Sequence, residues 1–176
     1  MLRQCSFRAQ LVLPGQRQLY DYWKRAAGER QMPARADFQP GQVPKLLPNI
    51  ALIDLDPGLR DAKFRLAGTA LRDVYGGEVT GRRLDQVFAG EPGEYWHRVH
   101  GSVQEHGAAM HGVVQGPADG REHVVLFWLR LPLAADEDRA RFILCYDCLA
   151  PMPDLWGEAF SLASGQQAPS VLAKLA

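Results

Sequence analysis

Residues 64–84 read FRLAGTALRDVYGGEVTGRRL, and the parsing of this stretch decides the fold. It opens like a β-strand, in which Phe64 and Leu66 alternate with Lys63 and Arg65, so that one face is buried and the other wet. It then enters a short helical phrase and ends in glycines followed by Arg82 and Arg83. Two readings compete. A phosphate loop of the Walker type needs GxxxxGK[ST] between a strand and a helix, and this stretch contains no lysine; a dinucleotide fingerprint needs GxGxxG, which is also missing. The favoured reading is a structural corner, with Gly76, Gly77 and Gly81 ending one helix and starting the next, and with both arginines solvated.

Working outward, NIALIDLD (49–56) is a strand that ends in the turn DPGLRD (56–61), and AKFRLAGT (62–69) returns as its hairpin partner. Two helical phrases follow, TALRDVYGG (69–77) and RRLDQVFAG (82–90), each closed by glycine. EPGEYWHRVHGSVQEHG (91–107) is a longer helix, with Trp96, Val99 and Val103 at helical spacing and Tyr95 beside them. Beyond it, the turn signals GPADGR (116–121) and AADEDRA (134–140) divide the chain into three strand-like runs. Upstream, QRQLYDYWKRAAG (16–28) places Leu19, Tyr20, Trp23, Ala26 and Ala27 on one helical face. A connector with four prolines and one glycine joins it to the first strand.

These elements predict an α+β fold: a PAS-like five-stranded antiparallel sheet with helices between strands 2 and 3, plus an N-terminal amphipathic helix. The expected organisation is an N-terminal extension (1–15), a helix and Pro-rich connector (16–48), a core (49–150) and a weakly patterned tail (151–176) in which DLWGEAFSLA (154–163) suits a short helix.

The later strands are apolar on both faces. In VVLFWLRL (124–131), the set Val124, Leu126, Trp128 and the set Val125, Phe127, Leu129 are both hydrophobic, whereas a half-wet sheet alternates with polar residues. The outer face therefore needs a cover, and the helix around Trp23 supplies it, alone or with a second subunit. Leu19, Tyr20 and Trp23 are the expected homodimer or partner surface.

Composition narrows the function classes. Twenty basic and twenty acidic residues cancel, so no global field draws the chain to nucleic acid or an anionic membrane. The amino terminus offers only LVL as an apolar run, too short for a signal-peptide core, and the stretch HVVLFWLRLPLAA (123–135) is broken by Arg130 and Pro132 and too short to span a bilayer. A cytoplasmic protein is expected. Three cysteines are an odd count that suits a reducing compartment, and on a strand Cys145 and Cys148 point to opposite faces, which rules out a shared metal or a redox pair.

Several phrases resemble the PAS_5 family of small bacterial PAS-like proteins: LYDYW (19–23), MPARADFQP (32–40), LLPNIALIDLD (46–56) and, above all, residues 64–84. The resemblance covers residues 16 to about 150. It implies a sensory or scaffolding module whose sheet, roofed by the middle helices, holds a small ligand and passes the event to a protein partner. It implies no particular cofactor, and none is assigned.

The expected ligand pocket lies between the long helix and the sheet, lined by Phe64, Leu66, Tyr75, Phe88, Trp96, Val99, His100 and Val103. His97 and His100 raise a minor haem reading, because haem-binding PAS sensors take their axial ligand from this helix. HRVH is not HExxH, and no metal site is assigned. A flavin photosensor of this class would need a reactive cysteine on the short helix before the long one, and Cys5, Cys145 and Cys148 all fall elsewhere. Asp54, Asp56 and Asp61 surround the Pro-Gly turn, where aspartate serves the backbone more often than calcium. The leading expectation is a non-enzymatic sensor. The alternative from another class is a small α+β enzyme with His100 or His111 as general base.

Overall fold

The computed structural model describes residues 6–88, 90–115, 124–135 and 139–151. The turn expected at 116–121, the middle of the turn at 134–140 and the short helix at 154–163 lie outside the described residues. The elements are α1 (Phe7–Gln10), α2 (Pro14–Ala27), β1 (Ile50–Asp54), β2 (Lys63–Ala67), α3 (Leu71–Tyr75), α4 (Leu84–Val87), α5 (Gly90–His106), β3 (Met110–Gln115), β4 (Val124–Ala134) and β5 (Ala140–Pro151). The strands form one antiparallel sheet in the order β2-β1-β5-β4-β3. The five strands and the position of the three helices match the sequence expectation, because nearly every element boundary carried a glycine or proline signal and the run between β4 and β5 a charged one.

The sheet separates two cores. On the inner face, α3, α4 and α5 cover Ile53, Phe64, Leu126, Trp128 and Ile143. On the outer face, α2 and the connector cover Leu52, Leu129, Leu131, Leu133 and Leu144. Gln16, Leu19, Trp23 and Ala27 recur along one side of α2, and that side lies on the strands. Two side chains fasten it. The Trp23 indole N–H donates to the Pro132 carbonyl at 2.8 Å, and the Gln16 amide donates to the Trp128 carbonyl at 3.1 Å while accepting from the Leu13 amide. The connector is ordered as short 3₁₀ turns at 35–37, 40–42 and 44–49, the last two starting at Pro40 and Pro44, where a missing N–H costs nothing.

Two sequence expectations need correction. Leu19 and Trp23 are buried within the chain and offer no partner surface; Tyr20 is half-buried against Phe7 and Trp23. The double-sided sheet does need a cover, and the chain's own N-terminal segment provides it. Leu66 does not share a face with Phe64. The register pairs Ile53 with Phe64 but Leu52 with Leu66, so Arg65 is an extra residue in β2, and the bulge turns Leu66 to the outer side, 36% exposed. A bulge defeats period-2 reasoning, because every residue beyond it changes face.

The glycine that matters most in residues 64–84 is Gly68. Its amide donates to the Ile50 carbonyl at 2.8 Å, and a Cβ there would run into the Leu47 and Pro48 carbonyl oxygens. Gly76 has the left-handed conformation of a helix end (φ 72°), as the corner reading requires. Arg82 and Arg83 are exposed, and Arg83 pairs with Asp85 at 2.6 Å. Gly68→Ala should cost about 1–3 kcal/mol, the range for overpacking against atoms that cannot yield, while Gly41→Ala, with open space around it, should stay within about 0.5 kcal/mol. Urea denaturation of the two variants checks this.

Candidate functional site: a buried polar cluster beneath the long helix

α5 crosses the inner face of the sheet and brings Trp96, Val99, His100 and Val103 into the core. Phe64, Tyr75 and Phe88 meet them there through a chain of ring contacts: Phe64 to Tyr75 at 5.5 Å, Tyr75 to Phe88 at 5.6 Å, and Phe88 stacked on Trp96 at 5.3 Å. Trp96 in turn stacks on His100 at 5.6 Å and meets Trp128 edge-on at 5.4 Å. Seven of the eight pocket residues expected from sequence thus converge, Leu66 being the one displaced.

Two residues that the sequence reading did not single out as functional dominate this region. Arg130 comes from β4 and Asp147 from β5; cross-strand pairing sets Trp128 opposite Asp147 and Arg130 opposite Cys145, so the two charges meet diagonally on the inner face. Both side chains are essentially inaccessible, at 1% and 0% exposure. Arg130 Nη1 donates to Asp147 Oδ1 at 2.8 Å and to the Leu129 carbonyl at 3.1 Å, and Arg130 Nε donates to His100 Nε2 at 3.2 Å. The Tyr75 hydroxyl donates to Asp147 Oδ2 at 2.6 Å. The guanidinium also lies over the Trp96 ring, 4.6 Å from its centre. A signal was present in the sequence: Arg130 in β4 and Asp147 in β5 each interrupt a run that is apolar on both faces, and such charges need a partner.

The titration behaviour follows from burial and from this pair. Burial, with the neighbouring Arg130, holds His100 well below its usual value, so it is neutral and accepts from Arg130 at Nε2. Burial alone would lower the Arg130 guanidinium, but Asp147, Cys145 and Tyr75 together outweigh it and raise it. Burial pushes the Tyr75 hydroxyl well up, with Asp147 adding to it, and pushes the Cys145 thiol up to about 12.

The hydrogen bonding is lopsided. Both Asp147 oxygens and His100 Nε2 are used, whereas Trp96 Nε1, His100 Nδ1, Trp128 Nε1 and Arg130 Nη2 are buried with no partner among the described residues. Burial pushes the Tyr95 hydroxyl up to about 12, with the Trp128 side chain acting the other way. Beside the cluster, a groove of about 650 Å³ runs between α4 and α5, bounded by Leu84, Phe88, Gly93, Trp96, His97 and His100.

The alternative chemistries fare poorly against this geometry. His100 is held by a cation rather than a carboxylate, which is the wrong neighbour for a general base, and its Nε2 is occupied, which does not fit an axial haem ligand. His111 is on the opposite side of the sheet, against Phe7 at 5.0 Å and Gln10 at 3.3 Å. Cys145 belongs to the inner core and Cys148 packs against the outer one. Asp56 accepts from the Arg60 and Asp61 amides, the backbone role expected of it. No group of three or more histidine, cysteine or carboxylate residues suited to a metal ion occurs among the described residues, and no helix there is long and apolar enough to cross a membrane.

Comparison with known proteins gives one informative match. A family profile, PAS_5, described as a PAS domain, covers residues 12–146. The comparison with curated proteins finds no match. Similar solved structures include a light-oxygen-voltage domain studied with a flavin analogue, at 16% identity over 72% of this chain and 93% of that one, with a TM-score of 0.48. Another is the Rhodobacter sphaeroides LOV protein, at 14% identity over 73% of this chain and 76% of that one, with a TM-score of 0.46.

Removing one member of the buried pair leaves a bare charge. Asp147→Ala should therefore lose about 3–5 kcal/mol, whereas Arg130→Met with Asp147→Leu together should recover most of that loss. A double-mutant cycle in urea measures both. His100 supplies a pH test, because the unfolded chain binds a proton below about pH 6.5 that the folded chain refuses. Stability should be full above that pH and fall as the pH drops, by up to about 1.4 kcal/mol per pH unit from this group. His100→Gln should show a shallower fall between pH 6.5 and 5, and an unchanged slope would remove His100 as the cause.

Proposed function

The chain belongs to the PAS_5 family of PAS domains, and from that premise we propose that it is a cytoplasmic, non-enzymatic bacterial sensor that binds a small molecule between α5 and the inner sheet face. The observation that carries this reading is the set of buried N–H groups around Arg130 that lack partners among the described residues. An unmade buried hydrogen bond costs about 1–3 kcal/mol, so a core that leaves several such groups together is suited to an occupant that completes them. An ordinary core closes its polar groups or omits them.

One contact supports a route out of the site. The Gln31 amide donates to the His106 and Gly107 carbonyls at 2.8 and 3.2 Å, joining the end of α5 to the N-terminal layer. Movement of α5 on binding would reach that layer first, and a signalling protein or a second copy of the chain would read it there. A catalytic role has less support, since the side-chain hydrogen bond of His100 among the described residues comes from the cationic Arg130.

Screening a small-metabolite library by thermal shift tests the proposal. A ligand at 100 times its Kd should add about 2.7 kcal/mol to stability, and the gain should shrink in a folded His100→Gln variant. A library with no stabilising compound, or one in which a compound is consumed catalytically, would overturn it.

A further inference from the structure

The sheet has two lateral edges, and the chain treats them differently. On one side, β2 is closed by the segment between α3 and α4. The Phe64 amide donates to the Arg82 carbonyl at 3.0 Å, the Gly81 amide to the Phe64 carbonyl at 2.7 Å and the Leu84 amide to the Ala62 carbonyl at 2.8 Å. On the other side, the end of β4 that runs past β3 is closed by Ala34, which bridges Ala134. The rest of that edge is β3, the last strand of the sheet, whose backbone pairs with β4 alone among the described residues. Alternate residues of a strand direct their N–H and C=O groups to the same side, so the outer side of β3 presents a row of donors and acceptors ready for another strand.

Edges of this kind are ordinarily guarded by charge or proline. Lys63 and Arg65 stand on β2, whereas β3 reads MHGVVQ, with no lysine, arginine, carboxylate or proline. Its side chains continue both cores outward. Met110 and Val114 pack on the inner side, where the Trp128 indole also lies in the place a Gly112 side chain would take. On the other face Ala109 packs against the outer core and His111 meets Phe7 edge-on. A strand laid along this edge would extend two apolar layers that are already formed.

The lack of charge decides the occupant. A two-fold pairing sets a strand against its own copy, where like charges oppose one another, so it needs an uncharged edge. Capture of a foreign strand draws on charge complementarity for its specificity, and β3 has no acid, lysine or arginine to supply it. Antiparallel pairing centred on Gly112 engages the whole strand. It sets Met110 opposite Val114 of the second copy on the inner face, and His111 opposite Val113 of the second copy on the outer one. Each pair keeps to one face, as the period of the strand demands.

We propose that two copies of the chain join β3 to β3, antiparallel, so that their two five-stranded sheets become one continuous sheet. This surface is separate from the ligand site of the sensor reading and does not depend on it.

Sedimentation velocity of the full chain over a range of concentrations should show a monomer–dimer equilibrium. Val113→Lys places a cation on each copy, diagonal to its mate at about 7–8 Å across the join, and should weaken the dimer at least about tenfold. Val113→Glu should do the same, and mixing the two variants should restore the dimer, because the charges then have opposite sign. Isotope-filtered NMR on a mixture of labelled and unlabelled unaltered chain should show contacts between Met110 of one copy and Val114 of the other. That measurement needs no substitution and decides the matter if neither variant folds. A dimer that survives Val113→Lys unchanged, or that lacks the contact from Met110 to Val114, lies elsewhere and overturns the proposal. A chain that is monomeric at every concentration also overturns it: slow hydrogen exchange at all the β3 amides of that monomer would assign the edge to another segment of the same chain, and fast exchange at alternate ones would leave it open to a strand from a different protein.

Discussion

The Arg130–Asp147 ion pair is the constraint around which the inner half of the molecule is arranged. Two charges removed from water must be paired and hydrogen-bonded, or the desolvation cost falls on the fold. β4 and β5 meet that demand by a register that sets the two residues diagonally across the inner face. Tyr75 from α3 closes the second carboxylate oxygen, and His100 from α5 closes the guanidinium at Nε. Two strands and two helices are thereby positioned by one pair. A buried pair of this kind is weak evidence for stability, since an apolar replacement of similar volume can do as well. Its retention fits a site in which hydrogen-bonding capacity has a use.

The outer half of the molecule obeys a simpler rule. A sheet apolar on both faces must be covered on both, and α2 with the proline-rich connector does so within a single chain. The connector is not slack: its 3₁₀ turns place Phe38, Val43 and Leu46 in the outer core, and the Ala134 amide at the end of β4 donates to the Pro33 carbonyl at 2.9 Å. The two cores share the sheet as their common wall, and the Gln31 amide at the end of α5 is a second link between them.

Much of this was legible from residue types alone. The glycines and prolines that punctuate residues 49–107 marked the hairpin and the three helices, and the burial of α2 followed from the spacing of Leu19 and Trp23. Most of the residues beneath α5 were found the same way, by helical period and aromatic content. Leu66 was misplaced because a bulge at Arg65 has no reliable mark in a single sequence. Leu19 and Trp23 were assigned to a partner surface because a sequence shows that an apolar face needs a cover but not which cover it gets.

The sequence by itself determined the order of the elements and the apolar character of both sheet faces, since these follow from local conformational preference and from periods of 2.0 and 3.6. Only the tertiary structure decided that Arg130 finds Asp147, 17 positions away, and that both find Tyr75 and His100, because strand register and helix placement set those meetings and neither is a local property. It also decided the role of Gly68 in the opening stretch, FRLAGTALRDVYGGEVTGRRL. A glycine with no loop to cradle and no helix to end is required there because two carbonyls of a distant segment pass where a side chain would be.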